Sequence, residues 1–229
     1  MKMKFLSSCA AILLAAVAQA QSSTQLRGGL NVANVSVTKD GAVDDAKMLT
    51  SFQLGFVGDV SLGKFISFQP GILFTGKGSK TQSGDPSSSR YYKSTFNPYY
   101  IEVPATVVLK APIGSGSKFF AGAGPYLAVG VSGKNKVEGK NLGLSFSSEK
   151  NIEFSNDDPT TVNYEEGAGF GIVKRFDYGL NGTVGIEGKS IVLGAAYGLG
   201  LAKLQSGSNN SADNNNKHRV LSLFVGIKL

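Results

Sequence analysis

The sequence predicts an all-β fold: an eight-stranded antiparallel up-and-down transmembrane β-barrel with long outer loops. Three observations carry that expectation. Residues 220–229 alternate, with Leu221, Leu223, Val225, Ile227 and Leu229 on one phase and Ser222, Phe224, Gly226 and Lys228 on the other. That is a strand with one apolar and one mixed face. The pattern recurs upstream, and ionisable side chains repeatedly fall on the mixed face. A sheet that encloses its charges and turns its aliphatics outward is inside-out, as a membrane barrel is. Finally, long and short connections alternate along the chain.

The N-terminus stands apart from this pattern. Lys2 and Lys4 precede an apolar stretch at residues 6–17, and Ala18-Gln19-Ala20 has the small-x-small form of a signal-peptidase site. Residues 1–20 are therefore expected to be a signal peptide cleaved after Ala20, with 21–229 as the barrel domain. The stretch is too short to span a bilayer comfortably. Cys9, the only cysteine, lies ahead of most of it, which argues against lipidation and leaves the mature chain without thiol chemistry.

Removing Lys2 and Lys4 from the 23 basic residues leaves 21 against 16 acidic ones, a net of +5. These are scattered rather than gathered in a stripe, and the chain is exported, so no nucleic-acid partner is expected. The 30 glycines far exceed the usual ~7% and show no collagen period. After the signal, no apolar run approaches the ~20 residues of a spanning helix.

Eight alternating segments can be placed. Residues 26–37 set Leu30 and Val32 outward and Arg27, Gly29 and Asn31 inward. Residues 48–62 set Phe52, Leu54, Phe56 and Val60 against Gln53, Gly55 and Asp59. Residues 65–77 set Ile66, Phe68, Ile72 and Phe74 against Ser67, Gln69 and Gly71. Residues 95–110 put Ile101, Val103, Ala105, Val107 and Leu109 outward, with Glu102, Thr106 and Lys110 inward. In 118–132, Leu127, Val129 and Val131 oppose Gly122, Gly124 and Gly130. In 174–188, Phe176, Tyr178, Leu180, Val184 and Ile186 oppose Asp177, Asn181, Thr183 and Glu187. Residues 190–204 put Ile191, Leu193, Tyr197, Leu199 and Leu201 outward, and the C-terminal strand completes the set.

The connections after the second, fourth and sixth segments are tight. Those at 38–47, 78–94, 133–173 and 205–217 are long and polar. Short turns at one end and long loops at the other are the rhythm of an even-stranded membrane barrel. A connection of some forty residues exceeds a plain loop. Alternation at Leu142, Leu144 and Phe146, and again at Ile152 and Phe154, predicts an extra hairpin within it. Residues 206–217, nearly pure Ser, Asn, Gly and Asp, are expected to be mobile.

Hydrocarbon offers backbone groups no partner, so a spanning sheet must close. Eight strands leave an interior just wide enough for side chains. Inward glycines, with Tyr100, Tyr126 and Phe224 as large fillers, suit that space. Arg27, Asp59, Glu102, Glu187 and Lys228 also fall on inward phases. They are expected to pair as a structural charge cluster in the lumen, because an unpaired buried charge costs several kcal/mol. Phe65, Phe68 and Phe119 near short turns, and Tyr91, Tyr92, Phe96, Tyr99, Phe176 and Tyr178 near long loops, predict two aromatic girdles built without Trp.

No catalytic, cofactor or metal site is expected. The run Gly71 to Gly78 reads G-x-x-x-x-G-K-G, with Gly78 where a P-loop needs Ser or Thr and a strand pattern around it. Gly167-Ala168-Gly169-Phe170-Gly171 does not complete a dinucleotide fingerprint. Asp157-Asp158 and Glu165-Glu166 match no calcium-loop spacing. His218, the only histidine, is expected at the outer rim beside Ser206, Ser208 and Ser211, with nothing to fix a nucleophile.

The run from Leu26 to Asn34 resembles the first strand of the PorT-like outer-membrane β-barrel family, which groups with the small OmpA/OmpX-type barrels. Phe68-Gln69-Pro70-Gly71-Ile72-Leu73-Phe74 resembles its third strand, and Tyr100-Ile101-Glu102-Val103-Pro104 its fourth. Arg175 to Leu180 and Tyr197 to Leu201 resemble its sixth and seventh. The resemblance implies an eight-stranded barrel in the outer membrane of a Gram-negative cell, inserted by the barrel-assembly machinery. One branch of the family serves type IX secretion. Such chains commonly end on an aromatic residue, whereas this one ends on Leu229.

The expected function is therefore non-enzymatic: a barrel held in outer-membrane lipid, presenting its loops outside, in a structural or partner-binding role associated with secretion. A small-solute channel and a secreted lipocalin-like barrel holding an apolar ligand are the alternatives. A filled eight-stranded lumen disfavours the first. The second requires an apolar interior.

Overall fold

The described residues of the computed structural model are 22–36, 46–114, 116–141, 144–155, 172–204 and 217–229. The predicted signal peptide and most of loops 38–47 and 205–217 fall outside them. In chain order the strands are β1 (Ser22–Ser36), β2 (Ala46–Lys47), β3 (Leu49–Ser61), β4 (Ile66–Gly76), β5 (Ser79–Ser83), β6 (Arg90–Gly114) and β7 (Ser117–Asn141). There follow β8 (Leu144–Asn151), β9 (Glu153–Phe154), β10 (Ile172–Val173), β11 (Phe176–Glu187), β12 (Ile191–Gly200) and β13 (Lys217–Lys228).

Eight of these close into a ring. The order β6-β4-β3-β1-β13-β12-β11-β7 returns to β6 through the β6–β7 pairing. Every pairing around the ring is antiparallel. Closure satisfies the backbone on both edges of each wall strand, which is what hydrocarbon demands. No helix among the described residues is long and apolar enough to cross a membrane.

Side-chain phase follows the sequence pattern. Leu30, Phe56, Ile72, Leu127, Phe176 and Leu223 are each more than half exposed on the outer surface. Tyr100, Tyr126, Phe120 and Phe224 are buried inside. Phe224 fits because two neighbours carry no side chain. A Cβ on Gly194 would sit 2.5 Å from its Cζ, and one on Gly29 would sit 2.9 Å from its Cβ. On the outer face Phe52, Phe74 and Tyr99 pack as a trio across β3, β4 and β6, with Phe74 and Tyr99 stacked at 5.1 Å.

Several strands outrun their predicted lengths. Strands β6 and β7 have 25 residues each, against the roughly 9–11 a tilted spanning strand needs. The β6–β7 register slips at Tyr99/Tyr100, leaving Val131 as the extra residue of a bulge. A bulge reverses the in–out phase beyond it. Alternation therefore breaks near Ser132 although the strand continues. Strand β8 folds back on β7 from Lys134 to Asn141, an extra hairpin at the long-loop end. Strand β5 similarly flanks β6 from Tyr92 to Phe96.

Val103 lies mid-strand, outward and 49% exposed. Val103→Arg is expected to cost about 2–4 kcal/mol near the bilayer midplane, and Val103→Leu to be nearly neutral. Folding into lipid vesicles, followed by denaturant titration, checks the difference.

Candidate functional site: the charged lumen

Alternation aims one residue in two at the axis, so each wall strand lays a column of side chains down the lumen. Along β6 the inward column runs Tyr100, Glu102, Pro104, Thr106, Val108 and Lys110 toward the short-turn end. Layers can be traced from that end upward.

Closest to the short turns is a four-member ion network. Lys110 Nζ contacts Asp59 Oδ2 and lies 2.6 Å from Glu187 Oε2, while Lys228 Nζ takes the other Glu187 oxygen. Gln69 Nε2 donates to Asp59 Oδ2 at 3.0 Å, and Lys228 Nζ donates to Gly188 O at 2.9 Å. With two ammoniums and two carboxylates the group is formally neutral. Above it Val108, Phe120, Val192 and Phe224 form an apolar layer.

Arg27 lies over the Phe224 ring at 4.0 Å. It makes no salt bridge among the described residues, and its Nε and Nη2 find no hydrogen-bond partner. The guanidinium faces a cavity of about 50 Å³ that Gln53, Thr75, Glu102, Thr106 and Ser222 also line. That volume has room for a few waters and nothing larger.

The upper charge layer is a triad. Lys77 Nζ lies 2.7 Å from Glu102 Oε2 and 2.9 Å from Asp177 Oδ2. Asn181 Nδ2 donates to Glu102 Oε1 at 2.8 Å, and Tyr126 OH donates to Asp177 Oδ2 at 3.0 Å. The ammonium also sits 3.9 Å from the Tyr126 ring centroid, a favourable placement for a cation. Above the triad, Phe154 packs edge-on against Tyr100 at 5.7 Å. Val35, Ile152, Val173 and Leu204 then make an apolar cluster at the mouth.

The five charges named from sequence are thus divided. Asp59, Glu187 and Lys228 share the lower network, Glu102 belongs to the upper triad, and Arg27 stands between them, within the field of Asp59 but in contact with no carboxylate among the described residues. The expectation that all five pair directly needs that correction: the close contact of Arg27 is with the ring of Phe224. Three further members complete the networks. Lys110 and Asp177 stand on phases already assigned inward. Lys77 continues the odd-numbered phase of Ser67, Gln69 and Gly71 one residue past β4, and carrying that alternation to the end of the 65–77 segment would have found it.

His218 also departs from expectation. It is buried inside the barrel, with Nε2 3.2 Å from Tyr100 OH, rather than standing at the rim. Ser206, Ser208, Ser211, the glycine-rich run 167–171 and the acidic pairs at 157–158 and 165–166 lie outside the described residues. Among the described residues no group of three His, Cys, Asp or Glu is placed to hold a metal.

The closed ring agrees with a family model, described as outer membrane protein beta-barrel domain, that matches residues 17–206. The chain belongs to that family. It is an outer-membrane β-barrel protein. Among solved structures it is similar to the attachment invasion locus protein Ail of Yersinia pestis, at 16% identity and TM-score 0.40, covering 91% of this chain and 99% of that one. It is also similar to Neisserial surface protein A, at 14% identity and TM-score 0.41, covering 91% and 97%. OprG of Pseudomonas aeruginosa matches at 12% identity and TM-score 0.46, covering 92% and 96%. No curated protein matches by sequence.

Replacing Lys77 tests the lumen. Lys77→Met strips the cation from two buried carboxylates and is expected to cost about 3–5 kcal/mol. Glu102→Ala leaves Lys77 with Asp177 and should cost less. Lys93→Met, which breaks a partly exposed pair with Glu138, should cost far less than Lys77→Met. Unfolding from vesicles gives all three values.

Proposed function

We propose that this barrel is non-enzymatic and works as a rigid, plugged pedestal, carrying a β-sheet outside the cell as a binding surface for a protein partner. The observation that carries this is the overrun of β6 and β7. Their distal halves, flanked by β5 and β8, build a sheet beyond the belt that lipid can cover. Exposed ion pairs brace it, Lys134 to Glu149 and Lys136 to Glu138. Hydrogen bonds from Lys136 and Lys93 hold the Glu138 carboxyl below the ordinary carboxylate range. Tyr91, Lys93, Glu138, Lys140 and Phe146 line a groove of about 470 Å³ on this sheet, mixing aromatic and charged surface as protein-binding patches do.

Orientation follows from the loops: short turns toward the periplasm and long ones outside. Export through a signal peptide cleaved after Ala20 and insertion by the barrel-assembly machinery belong to the same reading. The PorT-like strand motifs favour a partner from a secretion system. The two ion networks and the apolar layers between and above them support a plug over a channel. The charged interior and apolar exterior are opposite to what a soluble lipocalin-like carrier needs.

The mature chain lacks cysteine, so single probes are clean. Ser147→Cys on β8 should react with a membrane-impermeant maleimide on intact cells, and Gly63→Cys in the β3–β4 turn only after lysis. Photo-crosslinkers at Tyr91 or Phe146 should then capture one protein partner from intact cells, and planar bilayers should show no steady conductance. Labelling of Gly63→Cys on intact cells, or a large stable conductance, contradicts the proposal.

A further inference from the structure

The bulge at Val131 decides where the distal charges point. Below it the outward residues of β7 are odd-numbered, among them Leu127 and Val129. Above it they are even-numbered. Lys134, Lys136, Glu138 and Lys140 therefore share the face that Asn97, Thr95, Lys93 and Tyr91 continue upward from the outward Tyr99. Lys80 and Gln82 on β5, and Ser145, Ser147 and Glu149 on β8, pair with members of this set and lie on the same face. Five lysines thus stand there against two glutamates, an excess of three positive charges.

The fold gathers what the sequence scatters. Residues 79–83, 90–97, 134–141 and 144–151 make up this sheet and hold seven basic residues and two acidic ones. Their excess of five equals the whole net charge of residues 21–229, so the remainder balances to zero. The two glutamates do not neutralise the lysine face. Glu138 is shared, with one oxygen 3.2 Å from Lys93 Nζ and the other 2.8 Å from Lys136 Nζ. Glu149 Oε1 takes Lys134 Nζ at 2.5 Å. Lys80 and Lys140 contact no carboxylate among the described residues, and Lys140 Nζ reaches only Pro86 O at 3.5 Å. Asp85 turns its carboxylate to Ser87 N and Oγ within its own turn.

Spacing and height narrow the occupant. Lys134, Lys136 and Lys140 recur along β7 at multiples of two residues, roughly 6.6 Å for each step. An extended chain with alternating acidic residues presents its carboxylates on one side at that same interval. Lys93 and Lys140, beside Tyr91 in the groove of about 470 Å³, stand six or more residues above Tyr99. That is roughly 20 Å or more along the strand, against a headgroup layer of roughly 5–8 Å. We infer that this face binds an extended segment of a protein partner in which acidic residues alternate, laid along β7 with its carboxylates toward Lys93, Lys136 and Lys140. Complementary charge guides the encounter and the shared period fixes the register. The inference rests on the protein-binding reading above, which capture in intact cells tests. Titration of the purified barrel tests the face alone, so the two can fail separately.

Fluorescence anisotropy of labelled peptides, titrated with the full barrel in nanodiscs of zwitterionic lipid, reads the binding. The probes are a dodecapeptide alternating glutamate and threonine, and a permutation of equal composition that repeats Glu-Glu-Thr-Thr. Polygalacturonate serves as a competing polyanion that is not a protein. The alternating peptide should bind about 5-fold more tightly than the permuted one. Lys93→Gln with Lys140→Gln should weaken it about 10-fold, and Lys93→Arg with Lys140→Arg should retain it. Lys64→Gln with Lys189→Gln, which removes the same charge at the short turns, should leave it unchanged. Equal affinity for the two peptides overturns the inference without reference to any variant. So does an equal loss in the short-turn variant, or displacement of the alternating peptide by polygalacturonate at equal carboxylate concentration.

Discussion

An amide inside hydrocarbon has no solvent to fall back on, and this constraint governs the rest of the molecule. Each unpaired N–H or C=O there costs several kcal/mol. A sheet can therefore span the membrane only as a ring, and the β6–β7 pairing is what turns eight wall strands into one. Once the ring is closed, strand number sets its width and alternation sets its faces. The lipid belt and the filled lumen are consequences of that single requirement.

The narrow lumen then imposes a second requirement. Lysines and carboxylates turned inward have little water to stabilise them, so each must find an opposite charge or a set of dipoles. Lys110 meets this by bridging Asp59 and Glu187, and Lys77 by bridging Glu102 and Asp177. Lys110 ties β6 to β3 and β11, and Lys77 ties the end of β4 to β6 and β11, so the networks cross-brace the wall as well as block it. Arg27 solves the problem differently, spreading its delocalised charge over an aromatic face beside a small cavity. A guanidinium, flat and weakly hydrated, suits that position better than an ammonium.

Much of this was legible because a period of two is a strong signal in a chain that obeys it. Outward and inward phases could be assigned for Leu30, Gln53, Val103, Tyr126, Asp177 and Phe224 from alternation alone. What escaped did so for identifiable reasons. The bulge at Val131 reverses the phase, so β7 reads as ending near Ser132 although it runs to Asn141. Beyond the membrane neither face of a strand is lipid-facing and β8 is exposed throughout, so the alternation at Leu144 and Phe146 marked an extra hairpin without saying that β8 pairs back on β7. Lys77 closes the 65–77 segment, beyond its last apolar residue Phe74, where inward positions were not followed to the end. Pairing partners are a different matter. Which inward lysine meets which carboxylate depends on strand order around the ring and on barrel shear, and neither is written in local sequence.

The central claim is that the even-numbered side chains around Tyr126 face the lumen while their neighbours face lipid. The chain contains no tryptophan, so one can be introduced at a chosen position and its fluorescence read alone. Val103→Trp and Leu127→Trp, on paired positions of β6 and β7, should be strongly quenched by lipids brominated mid-chain. Tyr126→Trp, one residue away, should keep its emission in the same vesicles. Equal quenching at positions 126 and 127 would contradict the inside-out assignment on which the whole account stands.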